Sequence, residues 1–320
     1  LYGVVYAVLA NDIRGILAYH IISQVGYMVA GAGIGTEMAI NGATAHAFSH
    51  ILYKGVLFMG AGMLIHATSR SKLTELGGLY GGMKVTFWLY MIGAFSISGF
   101  PLFNGFISKS MVVGAAGEAG HWGIYFLLLL ASVGTFLHTG LKLPYFAWLS
   151  EPKGSPTPDR KIPLNMYFGI AIGGGLCFFF GIVPNALYQW LPYATDYHPY
   201  NMYHIVESTQ ILLFTGIAFM LLRKKLKGED KEVRDTDRLY LSIGPGFQRL
   251  TVGVVNTFFD WAEKAFKQFV DGIVSLGKNP VATLTFSERR EFRPDVYRAR
   301  LSRAVSAFVL IFVALALWAL

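Results

Sequence analysis

His46, His50 and Lys54 recur at four-residue steps in the string Ala-His-Ala-Phe-Ser-His-Ile-Leu-Tyr-Lys. On a helix that spacing puts all three on one face, over a rise of about 12 Å. Imidazole both accepts and donates a proton near neutrality, and an amine held away from water gives its proton up more readily. Bridged by water, such a row is a proton wire; alternatively it only hydrogen-bonds neighbouring helices. Two histidines with no carboxylate nearby make a poor metal site. Lys109 follows the string Ser-Gly-Phe-Pro-Leu-Phe-Asn-Gly-Phe-Ile-Ser, in which Gly99, Pro101 and Gly105 break a long apolar run. A broken helix at membrane depth is tolerated where it lines a cavity or lies buried in protein, which would put this lysine near water. The alternative is two shorter helices with a lysine reaching the surface. Lys142 has His138 one turn before it and lies near the end of its apolar run, where it either reaches the surface or opens a route there. Glu207 falls just inside the start of another run and is either a point of ion exit or a solvated helix start. Asp12 and Arg14 sit at a junction and read as a cap or a salt bridge.

These residues matter because of where the chain places them. Of its 320 residues 54 % are hydrophobic and 14 % charged, against about 25 % charged in a typical soluble domain, and the mean hydropathy is +0.47. The apolar residues form blocks of roughly 20, long enough to cross a hydrocarbon core about 30 Å thick. No alternating barrel pattern is present, so the spans are expected to be helices, which satisfy their own backbone in lipid. The expected spans are 1–10, 13–34, 36–66, an interrupted 84–116, 121–148, 164–190, 205–222 and 302–320. The fold class is therefore an all-α polytopic membrane protein with about eight spans, one of them discontinuous. Leu1 stands inside an apolar stretch with no signal-peptide features, so we expect it to lie within a helix that starts earlier.

Of 27 Lys and Arg, only Lys54, Lys109 and Lys142 fall within spans. The rest alternate onto one side, in loops holding Arg70, Lys72 and Lys84, then Lys153, Arg160 and Lys161, then Arg223, Lys224, Lys225 and Lys227. By the positive-inside rule that side is cytoplasmic. The net charge of +8 is thus a consequence of topology, and no nucleic-acid partner is expected. Three domains follow: a transmembrane core 1–223, a cytoplasmic or interfacial segment 224–301, and a closing span 302–320. Within the second, 246–277 reads as an amphipathic helix. Leu250, Val254, Phe258, Trp261, Ala265 and Phe269 share one face, with Asp260, Glu263, Lys264, Lys267 and Asp271 between them. That face lies either in the membrane interface or on a neighbouring polypeptide. The stretch Ser287–Arg303, with six arginines, reads as a positive-inside anchor. Cys177 is alone, which excludes an internal disulfide or a cysteine-held iron–sulfur cluster. No phosphate loop, metal cluster or nucleophile constellation is apparent, so neither a cofactor nor a catalytic enzyme is expected.

The motifs resemble a known family. Asn-Asp-Ile-Arg-Gly-Ile-Leu-Ala-Tyr-His with Ser-Gln-Val-Gly-Tyr, the His46–His50–Lys54 helix, and Pro101 through Lys109 resemble, in order and spacing, the proton-conducting membrane transporters. That family includes the subunits of Mrp-type cation/proton antiporters and the antiporter-like subunits of respiratory complex I. The resemblance covers about residues 1–225. It implies an antiporter-like fold of two inverted five-helix repeats, each with one discontinuous helix, this chain holding most of the second. It further implies that Lys109 releases or receives protons and that His46, His50 and Lys54 lie on a hydrophilic axis. A first-repeat glutamate–lysine pair would precede this chain. Phe-Pro-Leu-Phe-Asn-Gly-Phe-Ile-Ser-Lys-Ser-Met-Val-Val and Leu-Lys-Leu-Pro-Tyr-Phe-Ala-Trp resemble the D-type subunits of the Mrp-type antiporters in that family. Quinone-reductase relatives more often carry an acidic residue where this chain has Ser110. The long C-terminal extension, however, resembles the lateral helix of the largest antiporter-like subunit of complex I. Arg14 replaces the family's usual lysine, and arginine stays charged. The implied partners are other membrane subunits, H+, Na+ and the lipid bilayer, in the inner membrane of a prokaryotic cell.

Overall fold

The computed structural model describes residues 1–151, 158, 160–230, 235–278 and 301–318. Lys153, most of the arginine-rich stretch Ser287–Arg303 and the last two residues of the 302–320 span lie outside the described residues. The chain divides into two compact units, Leu1–Val233 and Arg234–Leu320. Among the described residues the regular structure is helical. Five helices are long and apolar enough to cross a membrane: Ile13–Ile34, Glu37–Thr68, Trp122–Leu149, Leu164–Ile182 and Met202–Leu222.

In the first unit, α1 (Tyr2–Leu9) is followed by α2 (Ile13–Ile34). Asp12 caps α2, its carboxylate accepting from the backbone N–H of Arg14 at 2.8 Å and of Gly15 at 3.2 Å, which settles the junction as a cap. Arg14 itself is exposed. Helix α3 (Glu37–Thr68) has 32 residues, about 48 Å at 1.5 Å each. It is the hub of the unit, packed by α2, α5, α7 and α4. Helix α4 (Lys84–Ser98) stops at Gly99, whose φ of 79° is left-handed, and α5 (Asn104–Glu118) resumes five residues later. The interruption expected at Gly99–Gly105 is therefore present.

That break is held tightly. Gly105 lies so close to the end of α4 that a Cβ there would sit 1.7 Å from the Ser96 carbonyl oxygen. Leu102 is left-handed at φ 76°, which costs a non-glycine residue about 1–2 kcal/mol. Gly181 allows the loop to be clamped, since a Cβ on it would stand 2.2 Å from the Leu102 carbonyl oxygen. The Ser96 hydroxyl donates to the Asn104 side chain across the gap, and Asn104 Nδ2 donates to the Ser49 carbonyl of α3 at 3.5 Å.

Helix α6 (Trp122–Thr135) continues through wide π-helical turns at Phe136–Lys142 and Tyr145–Leu149. Pro144 between them has no N–H to offer the preceding turn. A carbonyl in the widened stretch, that of Thr139, accepts instead from the Tyr90 phenol at 3.1 Å. Helix α7 (Leu164–Ile182) is shorter than the expected 164–190 because Val183 precedes Pro184 and is pushed out of helical geometry. A single turn, α8 (Asn185–Tyr188), follows, then α9 (Met202–Leu222). Cys177 of α7 is fully buried, so it is a core residue.

The basic loops meet at one end of this unit. The Ser71 hydroxyl donates to Asp12, the Gly78 N–H donates to the Ser150 carbonyl at 2.7 Å, and Arg160 N–H to the Ala67 carbonyl at 3.4 Å. Lys72 pairs with Asp230 at 2.7 Å. The loops poor in Lys and Arg meet at the opposite end, where Asn41 exchanges two hydrogen bonds with the backbone of Tyr193 and Tyr125 bonds Tyr203. In the second unit, α10 (Asp237–Lys278) starts earlier than the expected 246–277 and carries Pro245 inside it. Its Leu250, Val254, Phe258, Trp261 and Phe269 are exposed. Helix α11 (Leu301–Trp318) ends the described chain.

Candidate functional site: a buried histidine–lysine file

His46, His50 and Lys54 share the face of α3 that looks into the first unit, and all three are buried. The imidazoles of His46 and His50 are stacked with ring centres 6.4 Å apart. Tyr53 stands beside both, its ring 5.5 Å from His50 and 6.3 Å from His46. Its phenol is 3.4 Å from His46 Nε2 and donates to Gln24 Oε1 of α2 at 3.4 Å. On its other side, His46 Nδ1 lies 3.2 Å from Ser108 Oγ, whose hydroxyl donates to the Gly105 carbonyl at 3.4 Å. Gln24 is fixed in turn by donating to Thr135 Oγ1 at 3.2 Å. A phenol, an imidazole, a hydroxyl and a carboxamide thus form one buried chain spanning α2, α3, α5 and α6.

Ser108 immediately precedes Lys109. The Lys109 amine donates to the Ile97 carbonyl at 2.7 Å, at the C-terminal end of α4. The break supplies this partner, because the last carbonyls of a helix lack intrahelical donors and carry its negative dipole. The amine also lies 5.5 Å from the centre of the Tyr27 ring, and Tyr27 packs on His46 with ring centres 5.3 Å apart. His50, His46, Tyr27, Ser108 and Lys109 are therefore contiguous. Lys54, at the other end of the row, donates to the Leu17 carbonyl of α2 at 2.7 Å.

His138 and Lys142 lie in the π-helical turn. His138 meets His20 of α2 edge-on with ring centres 4.7 Å apart. Thr139 Oγ1 lies between them, 2.7 Å from His138 Nδ1 and 3.2 Å from His20 Nδ1. Lys142 is 1 % exposed and donates to the Val8 and Ala10 carbonyls, the latter at 2.9 Å. It therefore holds the end of α1 and does not reach the surface. Glu207 is half-buried and accepts from the Tyr125 phenol, with Tyr203 at 3.5 Å.

His20, Gln24 and Tyr27 were not singled out from the sequence, though they recur at i, i+4 and i+7 of one apolar run, the same signal that marked α3. Among the described residues, His20 Nε2, His50 Nε2, His138 Nε2, Ser23 Oγ and Ser49 Oγ are buried without a protein partner. Buried polar atoms of this kind are generally satisfied by ordered water. The arrangement is suited to moving protons between neutral and cationic nitrogen bases along a buried line of polar atoms.

Residues 1–137 match the family described as NADH:quinone oxidoreductase/Mrp antiporter, transmembrane. That match spans under half of the chain. It contains every member of the His46–Lys109 file. Over 152 residues, 48 % of this chain and 31 % of the relative, the chain is 38 % identical to the D-type polypeptide of the Na(+)/H(+) antiporter of Alkalihalophilus pseudofirmus. Over 212 residues, 58 % of this chain and 26 % of the relative, it is 34 % identical to the A-type polypeptide of the same antiporter. The chain spans well under half the length of the curated relatives it matches. Among solved structures, a chain of the membrane-bound sulfane sulfur reductase, an archaeal respiratory membrane complex, shares the fold. Its TM-score is 0.57 at 22 % identity, covering 98 % of this chain and 54 % of that one. The chain is thus similar in sequence to polypeptides of Na(+)/H(+) antiporters and in fold to a chain of a respiratory membrane complex.

Proposed function

We propose that this chain is a proton-translocating subunit of a multi-subunit monovalent-cation/proton antiporter, resident in a prokaryotic cell membrane and exchanging Na+ for H+ with other membrane subunits. The observation that carries the proposal is the contiguous buried file His50–His46–Ser108–Lys109, which runs from the hub helix to the broken one. Bases that hold and pass protons have no structural need to be stacked in an apolar interior, where an ionisable residue costs roughly 2.5–3.5 kcal/mol. In this reading Lys109 is the terminal proton carrier, His46 and His50 pass protons to it, and Lys54 loads the row. His138 and Lys142 form a second branch toward the basic loops. Residues 1–223 act as the conducting core, 224–301 as an interfacial segment against lipid or a neighbouring polypeptide, and 302–320 as a closing span.

A second reading is a proton-pumping subunit of a redox-driven complex. What favours it is the likeness to the respiratory membrane complex over 98 % of this chain, which takes in the residues beyond the conducting core. The two readings are separated in everted vesicles from an antiporter-deficient host producing the full-length protein with its complex. Addition of Na+ should release a respiration-generated proton gradient, and Lys109→Ala at normal abundance should not respond. An assembled complex with no response to Na+ that acidifies vesicles when given an electron donor would replace the first reading with the second.

A further inference from the structure

Beyond Lys109 the file does not stop at protein. A cavity of about 30 Å³ opens beside the amine, lined by Ser98, Lys109, Ser110, Ser132, Glu207 and Ser208 among others. That is room for about one water. Its polar walls are four serines, one lysine and one glutamate on four different helices, with Phe106, Val113, Leu129 and Ile211 completing it. Ser98 already donates to the Ala94 carbonyl at 2.5 Å and Ser110 to the Ile107 carbonyl at 3.3 Å. Each therefore has its proton committed and is left with oxygen lone pairs that can accept. On the far side, Glu207 accepts from Tyr125, and Tyr125 bonds Tyr203 at 2.7 Å, so two phenols stand between the carboxylate and the loops poor in Lys and Arg. Glu207 lies in the second turn of α9, about 24 Å along the helix from Arg223, hence at the end opposite the basic loops.

We propose that Glu207 is the proton acceptor of Lys109 and the last carrier before the non-basic face, with Tyr125 and Tyr203 as its gate. The step is a proton transfer through bridging water. The Lys109 ammonium loses an N–H proton, the Glu207 carboxylate gains an O–H, and a neutral amine and carboxylic acid result. The acid then releases its proton past the phenols and the pair resets. This rests on Lys109 being a carrier, and it adds a named acceptor and a direction.

The test uses the full complex in everted vesicles, comparing unaltered protein with Lys109→Ala, Glu207→Gln and Glu207→Asp at matched abundance. Glutamine keeps an oxygen for the Tyr125 phenol but cannot hold a proton. Glu207→Gln should lower proton movement at least tenfold, and Glu207→Asp should restore at least half of it. A merely structural tie between α6 and α9 predicts that Gln transports like the unaltered protein. That result, beside an inactive Lys109→Ala, overturns the proposal and leaves the function standing. An active Lys109→Ala would instead sink the reading beneath it. If Glu207→Gln does not assemble, dicyclohexylcarbodiimide on the unaltered complex decides. Loss of transport with a peptide-mass shift at Glu207 supports the proposal, and loss of transport without modification of Glu207 overturns it.

Discussion

Replacing Gly105 with alanine tests whether the two halves of the broken helix must touch. The added Cβ would stand 1.7 Å from the Ser96 carbonyl oxygen, and such contacts are essentially never under 3.0 Å. The obstacle is backbone, so no side chain can swing aside. Either α5 retreats from α4 by more than about 1 Å or the loop between them refolds. Overpacking of this kind costs typically 1–3 kcal/mol. The retreat also carries Lys109, four residues on, away from the Ile97 carbonyl that it now meets at 2.7 Å, and an error of 1 Å in a reacting group can cost about 100-fold in rate. Gly105→Ala should therefore lower the unfolding temperature in detergent and reduce proton movement at least tenfold. Gly62→Ala on α3 is the control, because nothing lies within 4 Å of a Cβ there. A Gly105→Ala protein that melts and transports like the unaltered one would refute the close apposition and the positioning argument built on it.

Other outcomes follow from the same contacts. His46→Gln removes the ring shared by Tyr53 and Ser108 and should cut proton movement at least tenfold without loss of abundance, measured in everted vesicles. Asp12→Ala deletes the cap of α2 and should destabilise the protein by about 0.5–2 kcal/mol, visible in a detergent melt, while transport in the folded fraction is unchanged. Lys72→Ala should not shift that melt measurably, since the pair with Asp230 is exposed. The Asp230 carboxylate raises the pKa of Lys72, so the amine keeps its charge at neutral pH. Whatever the pair adds is present below the ordinary lysine value and lost only as pH climbs through the raised one.

The parts of the fold that depend on one segment alone were legible in the sequence. The break followed from Gly99 and Gly105, the helix 13–34 from hydropathy, and the burial of Lys109 from the scarcity of charge around it. The shared face of His46, His50 and Lys54 followed from a four-residue step. What hydropathy cannot supply is which faces of two helices meet. His20 therefore looked like one more residue of an apolar run, and its place against His138 depends on α2 packing beside the widened turn of α6. The turn itself had a signal, Pro144 inside a span, but a proline does not say whether the helix will kink, stop or widen. Lys142 illustrates the same limit. Its nearness to the end of a run was compatible with reaching the surface, and only the position of α1 gives its amine two carbonyls to bond inside.

The central claim is that Lys109 works by releasing its proton, and Lys109→Arg tests it most directly. Arginine keeps the charge and can still donate to the Ile97 carbonyl, but it does not deprotonate in proteins. Proton movement by the full complex in everted vesicles should fall to the level of Lys109→Ala although the arginine protein assembles normally. Transport by Lys109→Arg at the unaltered rate would contradict the account, because the site would then need only a fixed positive charge and not a base.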